Sequence, residues 1–124
     1  KLSGFIDRRR KVYFMYNEGL KSFDWIRLPP EVPEHCESSY YFYWIQTERG
    51  IRDKLAHYLR DNGIYTTFRY FPLHRVKYFG SDVALPNTEK AADNTLCVPM
   101  HHSLSDEEVE KVIDCIHSFK LKIL

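Results

Sequence analysis

Apolar residues along this chain switch repeatedly between helical and strand spacing, and this alternation limits the fold more than any single motif. Over residues 5–20, Phe5, Arg9, Tyr13, Tyr16 and Leu20 share one helical stripe, with Asp7, Arg8, Lys11 and Glu18 largely elsewhere. Pro29, Pro30 and Pro33 then remove backbone donors and restrict their neighbours, so 28–34 reads as an extended connector. Tyr40 to Gln46 is an aromatic and β-branched run without Gly or Pro, which predicts a strand. From Ile51, the spacing of Leu55, Tyr58 and Leu59 predicts a helix that Asn62-Gly63 ends through a left-handed residue. Ile64, Thr66, Phe68 and Tyr70 alternate with Tyr65, Thr67 and Arg69, which predicts a half-buried strand with Arg69 off the core face. Pro72 stops that strand, leaving 73–80 as a loop or a single turn.

Near the C-terminus, Asn87 or Thr88 can cap a short helix through Asn94, and Leu96-Cys97-Val98 reads as a strand closed by Pro99. Ser105 and Glu108 form a capping box. Asp106 and Glu107 suit the positive end of a helix dipole, and Val109, Val112, Ile113, Ile116 and Phe119 continue at helical spacing. The order is helix, strand, helix, strand, short helix, strand, helix. It predicts an α+β fold, an α/β sandwich in which helices cover a small sheet.

With 124 residues, 44% of them hydrophobic and 28% charged, the chain suits a single globular core and not a disordered segment or a coiled coil. A formal net charge of +1 gives no global attraction to a polyanion, although Arg8-Arg9-Arg10-Lys11 is locally basic. On a helix those four residues point around most of the circumference, which suits a solvated face or a domain contact. No apolar run approaches the ~20 residues of a membrane span, and the N-terminus lacks a signal-peptide pattern, so the expected location is cytoplasmic. Cys36, Cys97 and Cys115 are odd in number and widely spaced, giving neither a disulfide framework nor a zinc pattern. The chain opens on Lys1, not Met, and enters its first amphipathic pattern without a helix-starting cap, which reads as a cut. The stripe of Phe5, Tyr13, Tyr16 and Leu20 is wide enough to predict an apolar surface for another domain or subunit.

The densest polar constellation runs from Arg69 to Tyr78: a guanidinium, an imidazole, phenols and further cations at the end of a predicted strand. Such loops carry binding residues because a rigid scaffold presents them to solvent, and a phosphorylated or sugar-bearing anion suits this one. A solvated basic loop packed by its own aromatics fits the same residues. His101-His102 lacks a third ligand at metal-binding spacing, and the scattered glycines form no phosphate loop or dinucleotide turn. The aromatic strand could instead stack bases as a nucleic-acid or protein-binding module, but it lacks the Gly-aromatic pattern of an RNA-recognition sheet.

Taken in order, several segments resemble the DegT/DnrJ/EryC1/StrS sugar aminotransferases, fold type I pyridoxal-phosphate enzymes. These are Arg9-Arg10 with Tyr16-Asn17 and Leu20, a Ser-rich entry to the strand from Ser38 to Ile45, and Arg52-Asp53 with Leu55, Gly63 and Ile64. Tyr70-x-Pro72-Leu73-His74 follows, then Leu85-Pro86-x-Thr88-Glu89, and lastly Leu96-x-Val98-Pro99-Met100-His101 leading into Leu104-Ser105-Asp106-Glu107-Glu108-Val109. The resemblance implies a C-terminal small domain over 1–124, with 1–22 a linking helix and 38–124 the sheet and helices. It places the pyridoxal phosphate and its Schiff-base lysine in a large domain absent from these residues, so the catalytic, cofactor and metal sets here are empty and the isolated chain is expected to be inactive. It further implies a homodimer acting on a nucleotide-linked keto-sugar, such as a dTDP-4-keto-6-deoxyhexose, with His74 and Tyr78 at the substrate and Arg69 and Tyr70 beside them. Partner surfaces would be the large domain and a second subunit, with no nucleic acid and no membrane. Some relatives dehydrate the sugar instead, with a histidine replacing that lysine. Two departures from the family pattern, Ser39 with Tyr41 and the pair Arg69-Tyr70, imply altered substrate contacts.

Overall fold

A computed structural model of the chain describes residues 1–48, 50–79 and 83–123, the last three by backbone alone. Helix α1 spans Leu2–Leu20, strand β1 Ile26–Arg27, strand β2 Tyr43–Thr47 and helix α2 Arg52–Asp61. Two 3-10 turns, Leu73–Arg75 and Lys77–Phe79, lead to helix α3 at Pro86–Asn94, strand β3 at Thr95–Val98 and helix α4 at Asp106–Ile123. The sheet has the order β1-β2-β3 and is antiparallel, with Ile26 opposite Thr47 and Tyr43 opposite Val98. The architecture is α+β, as the alternation of periods predicts.

The period-2 side chains Tyr43, Ile45 and Thr47 of β2 turn one face into the core. There they meet Val12, Tyr13, Tyr16 and Leu20 of α1, Leu55 and Leu59 of α2, and Val109, Val112, Ile116 and Phe119 of α4. The Tyr-rich stripe of α1 is therefore core and not an exposed interface: Tyr13, Tyr16 and Leu20 are buried, and Leu2, Phe5 and Phe14 are the large apolar residues that α1 leaves exposed. Three tyrosine hydroxyls in this core find acceptors, Tyr13 at the Pro30 carbonyl (2.9 Å), Tyr16 at the Pro99 carbonyl (2.8 Å) and Tyr43 at Asn17 Oδ1 (2.6 Å). Burial raises the Tyr16 and Tyr43 phenols well above their ordinary range, so both remain donors. Helices α1 and α4 approach closely at Gly19, where an added Cβ would meet Ile113 at 2.7 Å.

Two helix ends follow the sequence closely. Gly63 has φ +76°, its N–H bonds the Arg60 carbonyl and the Ile64 N–H bonds the Leu59 carbonyl, which closes α2 as a Schellman motif with Leu59 and Ile64 both buried. At α4 the capping box is reciprocal: the Ser105 N–H donates to Glu108 Oε2 (2.8 Å) and the Glu108 N–H to Ser105 Oγ (3.2 Å). Helix α3 departs from the expected cap. It begins at Pro86 with Leu85 as an N-cap that supplies no side-chain bond, because Pro at the first helical position needs no donor partner and already has a helical φ.

Both remaining strand expectations shorten. Tyr40 takes φ +46° and donates its N–H to Ser38 Oγ, so the chain turns before β2 and leaves Tyr41 and Phe42 outside the ladder. The strand expected over 64–70 reduces to one bridge, Thr67 opposite Cys97, with bonds of 3.0 and 2.8 Å. The next bonded pairs in that register would be Tyr65 with Pro99 and Arg69 with Thr95. Pro99 has no N–H, and the Thr95 N–H is already given to the Ala91 carbonyl at the end of α3. With no further ladder available, Phe68 and Tyr70 are exposed and not on the core face. Strand β1, two residues long, has no periodic signal of its own.

Candidate functional site

The chain released from the sheet at Thr67 lies beside the turn before β2. Arg69 is exposed, as the sequence expects, and its Nη1 donates to the Tyr41 hydroxyl at 2.9 Å. Its guanidinium carbon lies 5.5 Å from the Tyr41 ring centroid and 5.9 Å from that of Tyr70. Hydrogen bonds to Tyr41 and then Tyr70 hold Arg69 above its ordinary range, so it is a permanent cation on an aromatic platform. The platform borders a pocket of about 480 Å³ whose walls include Arg9, Tyr41, Thr67, Arg69, His101 and Lys111. Arg9 brings a buried Nε without a partner among the described residues. The remainder of the basic run is spent elsewhere: Arg8 on the Leu104 carbonyl and Asp106, Lys11 on Asp106, and Arg10 over the Tyr40 ring. The lining combines the cations Arg9, Arg69 and Lys111 and several rings with one carboxylate, Glu108, a balance suited to an anionic ligand carrying a ring.

His74 belongs to a second group. Its imidazole is only 10% exposed, and Nε2 lies 3.0 Å from Glu89 Oε1 on α3. The same oxygen accepts the Leu85 N–H (3.1 Å), while Glu89 Oε2 accepts from Arg75 Nη2 (3.0 Å) and Asp93 Oδ1 accepts from Arg75 Nη1 (2.9 Å). Tyr78 is 89% exposed and makes an edge contact with Phe79 at 5.2 Å. The four residues singled out from the sequence thus divide: Arg69 and Tyr70 share the Tyr41 platform, His74 is pinned to α3, and Tyr78 stands in solvent. The single turn envisaged for 73–80 is two 3-10 turns joined at Val76; Gly80 lies outside the described residues.

Sequence reasoning names Tyr41 only as a departure from the family pattern and does not single out Glu89 or Asp93 as site residues. A signal exists for the acids, since Glu89 and Asp93 are four apart on a helix and so project from one side, where a cation can bridge them. The Leu85 N–H, then His74, then Arg75 all favour the charged form of Glu89 and hold it at about 2, below its ordinary 4.5. A folded value below the unfolded one means that the cluster's contribution is complete above pH 4.5 and is lost as the pH falls through about 2. Carbon-13 NMR of the Glu89 carboxyl through an acid titration is expected to give a midpoint near 2, whereas a midpoint near 4.5 would show that the cluster does not form in solution.

These residues do not fit a covalent cofactor site. Apart from half-buried Lys120, every lysine whose side chain is described is exposed, and Lys11, Lys21 and Lys120 are engaged by Asp106, Glu18 and Asp24. A lysine that forms a Schiff base is activated by desolvation or a neighbouring cation, and none of these is enclosed. His102 stacks on Phe5 with ring centroids 4.0 Å apart, and Cys36, Cys97 and Cys115 are free thiols. No helix among the described residues is long and apolar enough to cross a membrane.

The sequence of residues 1–117 matches the family model described as the DegT/DnrJ/EryC1/StrS aminotransferase family. This chain belongs to that family. It is 44% identical over 114 residues to a dTDP-4-dehydro-2,3,6-trideoxy-D-glucose 4-aminotransferase of Saccharopolyspora spinosa, covering 92% of this chain and 30% of the relative. Its fold superposes on the aminotransferase TlmJ from Streptoalloteichus hindustanus with a TM-score of 0.96 at 44% identity, covering 99% of this chain and 34% of that one. Spr1654 from Streptococcus pneumoniae, solved in a PLP form, matches with a TM-score of 0.81 at 26% identity, over 97% of this chain and 32% of its own. The DegT/DnrJ/EryC1/StrS chain therefore spans about a third of the length of these relatives.

Proposed function

We propose that this chain is the C-terminal small domain of a pyridoxal-phosphate-dependent aminotransferase that transfers an amino group to a dTDP-linked 4-keto-sugar. The observation that carries the reading is the 44% identity, over 92% of the chain, to a relative named for that reaction. In this reading the cofactor is held by the larger domain. Pyridoxal phosphate, when bound there, stores the amino group and acts as an electron sink during transfer.

This domain's part is binding and orientation. Arg69 on its Tyr41 and Tyr70 platform offers a permanent cation and two ring faces, which suit a nucleotide diphosphate and its base or sugar. His74 and Tyr78 add polar groups from the neighbouring loop. Exposed Leu2, Phe5 and Phe14 on α1 suit contact with the large domain or a second subunit of a cytoplasmic homodimer.

The decisive experiment uses the full-length enzyme, a dTDP-linked 4-keto-6-deoxyhexose and an amino-acid donor. The expected product is the 4-amino sugar, formed in step with the keto acid from the donor. A dehydrated sugar without consumption of the donor would replace this reading with that of a dehydratase. No reaction of the 4-keto substrate beside turnover of a 3-keto isomer would move the amination to another carbon.

A further inference from the structure

The two 3-10 turns that carry His74 and Tyr78 contain no buried residue, and their large apolar side chains Leu73, Tyr78 and Phe79 are all exposed. Beyond the buried Pro72 at its start and the half-buried Val76 between its turns, apolar burial therefore does not hold this loop in place. A polar latch does: Glu89 accepts from His74 and Arg75 on the loop and from the Leu85 backbone at the start of its own helix, while Asp93, one helical turn later, accepts the second arm of Arg75.

An ionised carboxylate can only accept. The ring nitrogen facing Glu89 must therefore carry hydrogen, which assigns N–H to Nε2 of His74 and leaves Nδ1 as the lone-pair nitrogen of the neutral ring or the second donor of the charged one. Among the described residues Nδ1 has no hydrogen-bond partner. Charged groups around the imidazole are Glu89 and Asp93 from α3 and Arg75 from the loop itself. Among the described residues, Glu89 is the one that pairs with it.

We propose that Glu89 is a positioning residue for nucleotide-sugar binding, acting through His74: it sets the tautomer and orientation of the imidazole and docks the loop that presents it. The inference rests on the reading above that His74 meets the sugar nucleotide. It adds a determinant on a different helix, one that does not itself touch substrate.

The test is a double-mutant cycle in the full-length holoenzyme with a dTDP-linked 4-keto-6-deoxyhexose as the varied substrate. Glu89→Gln keeps the side-chain volume and removes the charge; it is expected to raise KM for the keto-sugar roughly tenfold, with kcat and the KM of the amino donor changed less than about twofold. In a His74→Ala background the same change is expected to add less than about twofold, because a positioning residue has no effect once the group it positions is gone. Glu89→Asp keeps the charge but withdraws it by one methylene, and its KM should fall between those of the parent and Glu89→Gln; it also serves as the partner in the cycle if Glu89→Gln does not fold. Histidine nitrogen-15 NMR supplies a second readout, with His74 expected to hold its hydrogen on Nε2 in the parent and to lose that preference in Glu89→Gln. Effects of Glu89→Gln and His74→Ala that multiply would overturn the proposal by showing that Glu89 acts independently of the imidazole. A neutral Glu89→Gln beside a defective His74→Ala would overturn it while leaving His74 at the substrate. A neutral His74→Ala would remove the reading beneath it.

Discussion

Replacing Tyr16 by alanine is expected to destabilise the fold by about 3–5 kcal/mol, and replacing it by phenylalanine by about 1 kcal/mol. Tyr16 is fully buried, lies 4.9 Å from the Tyr43 ring and donates its hydroxyl to the Pro99 carbonyl at 2.8 Å. Truncation to alanine removes the ring contacts, opens a cavity where α1 meets the sheet and leaves a carbonyl without its donor. Phenylalanine keeps the volume and loses the hydrogen bond alone. Against the total of about 5–15 kcal/mol that holds a typical domain together, the first change approaches complete unfolding and the second does not. Urea denaturation of the two variants beside the parent chain measures both. Equal losses would mean that the hydroxyl, not the packing, dominates, and a loss below about 1 kcal/mol for alanine would place Tyr16 outside the core.

Removing the imidazole of His74 is expected to lower kcat/KM for the nucleotide-linked keto-sugar by roughly 10- to 150-fold in the full-length enzyme. This follows if the ring carries hydrogen on both nitrogens, so that Nδ1, the nitrogen not held by Glu89, donates to a phosphate of the substrate, because a hydrogen bond to a charged group is worth about 1.5–3 kcal/mol. Tyr78→Phe removes a neutral donor and is expected to cost roughly 2- to 10-fold. Affinity for pyridoxal phosphate should not change in either variant. Steady-state kinetics with a parallel cofactor titration decides the assignment. Unchanged sugar kinetics with weakened cofactor binding would show that these residues serve the other ligand.

Legibility in the sequence followed the range of the interactions concerned. The capping box at Ser105 and Glu108, the Gly63 helix end and the helical spacing of Val109, Val112, Ile116 and Phe119 involve residues within one or a few turns of each other, so local pattern carried them. Resemblance to the aminotransferase family was legible in the same way, from the order of short segments, and the match over residues 1–117 agrees with it. The candidate site was legible only as a list. Arg69, Tyr70, His74 and Tyr78 stand close together in the chain, yet Arg69 pairs with Tyr41 and His74 with Glu89, 28 and 15 residues away.

The sequence alone determined where α2 ends, where α4 begins and the α+β class, because each depends on periodicity and on caps built from near neighbours. Tertiary structure decided which Tyr-rich face is core and where the strand after α2 stops. That strand ends at Thr67 because Pro99 lacks an N–H and the Thr95 N–H is taken by the Ala91 carbonyl. Local alternation over 64–70 carries no information about the partner's free donors. The loop that leaves this truncated ladder holds the candidate binding residues, and its docking on α3 depends on the same long-range hydrogen bonding.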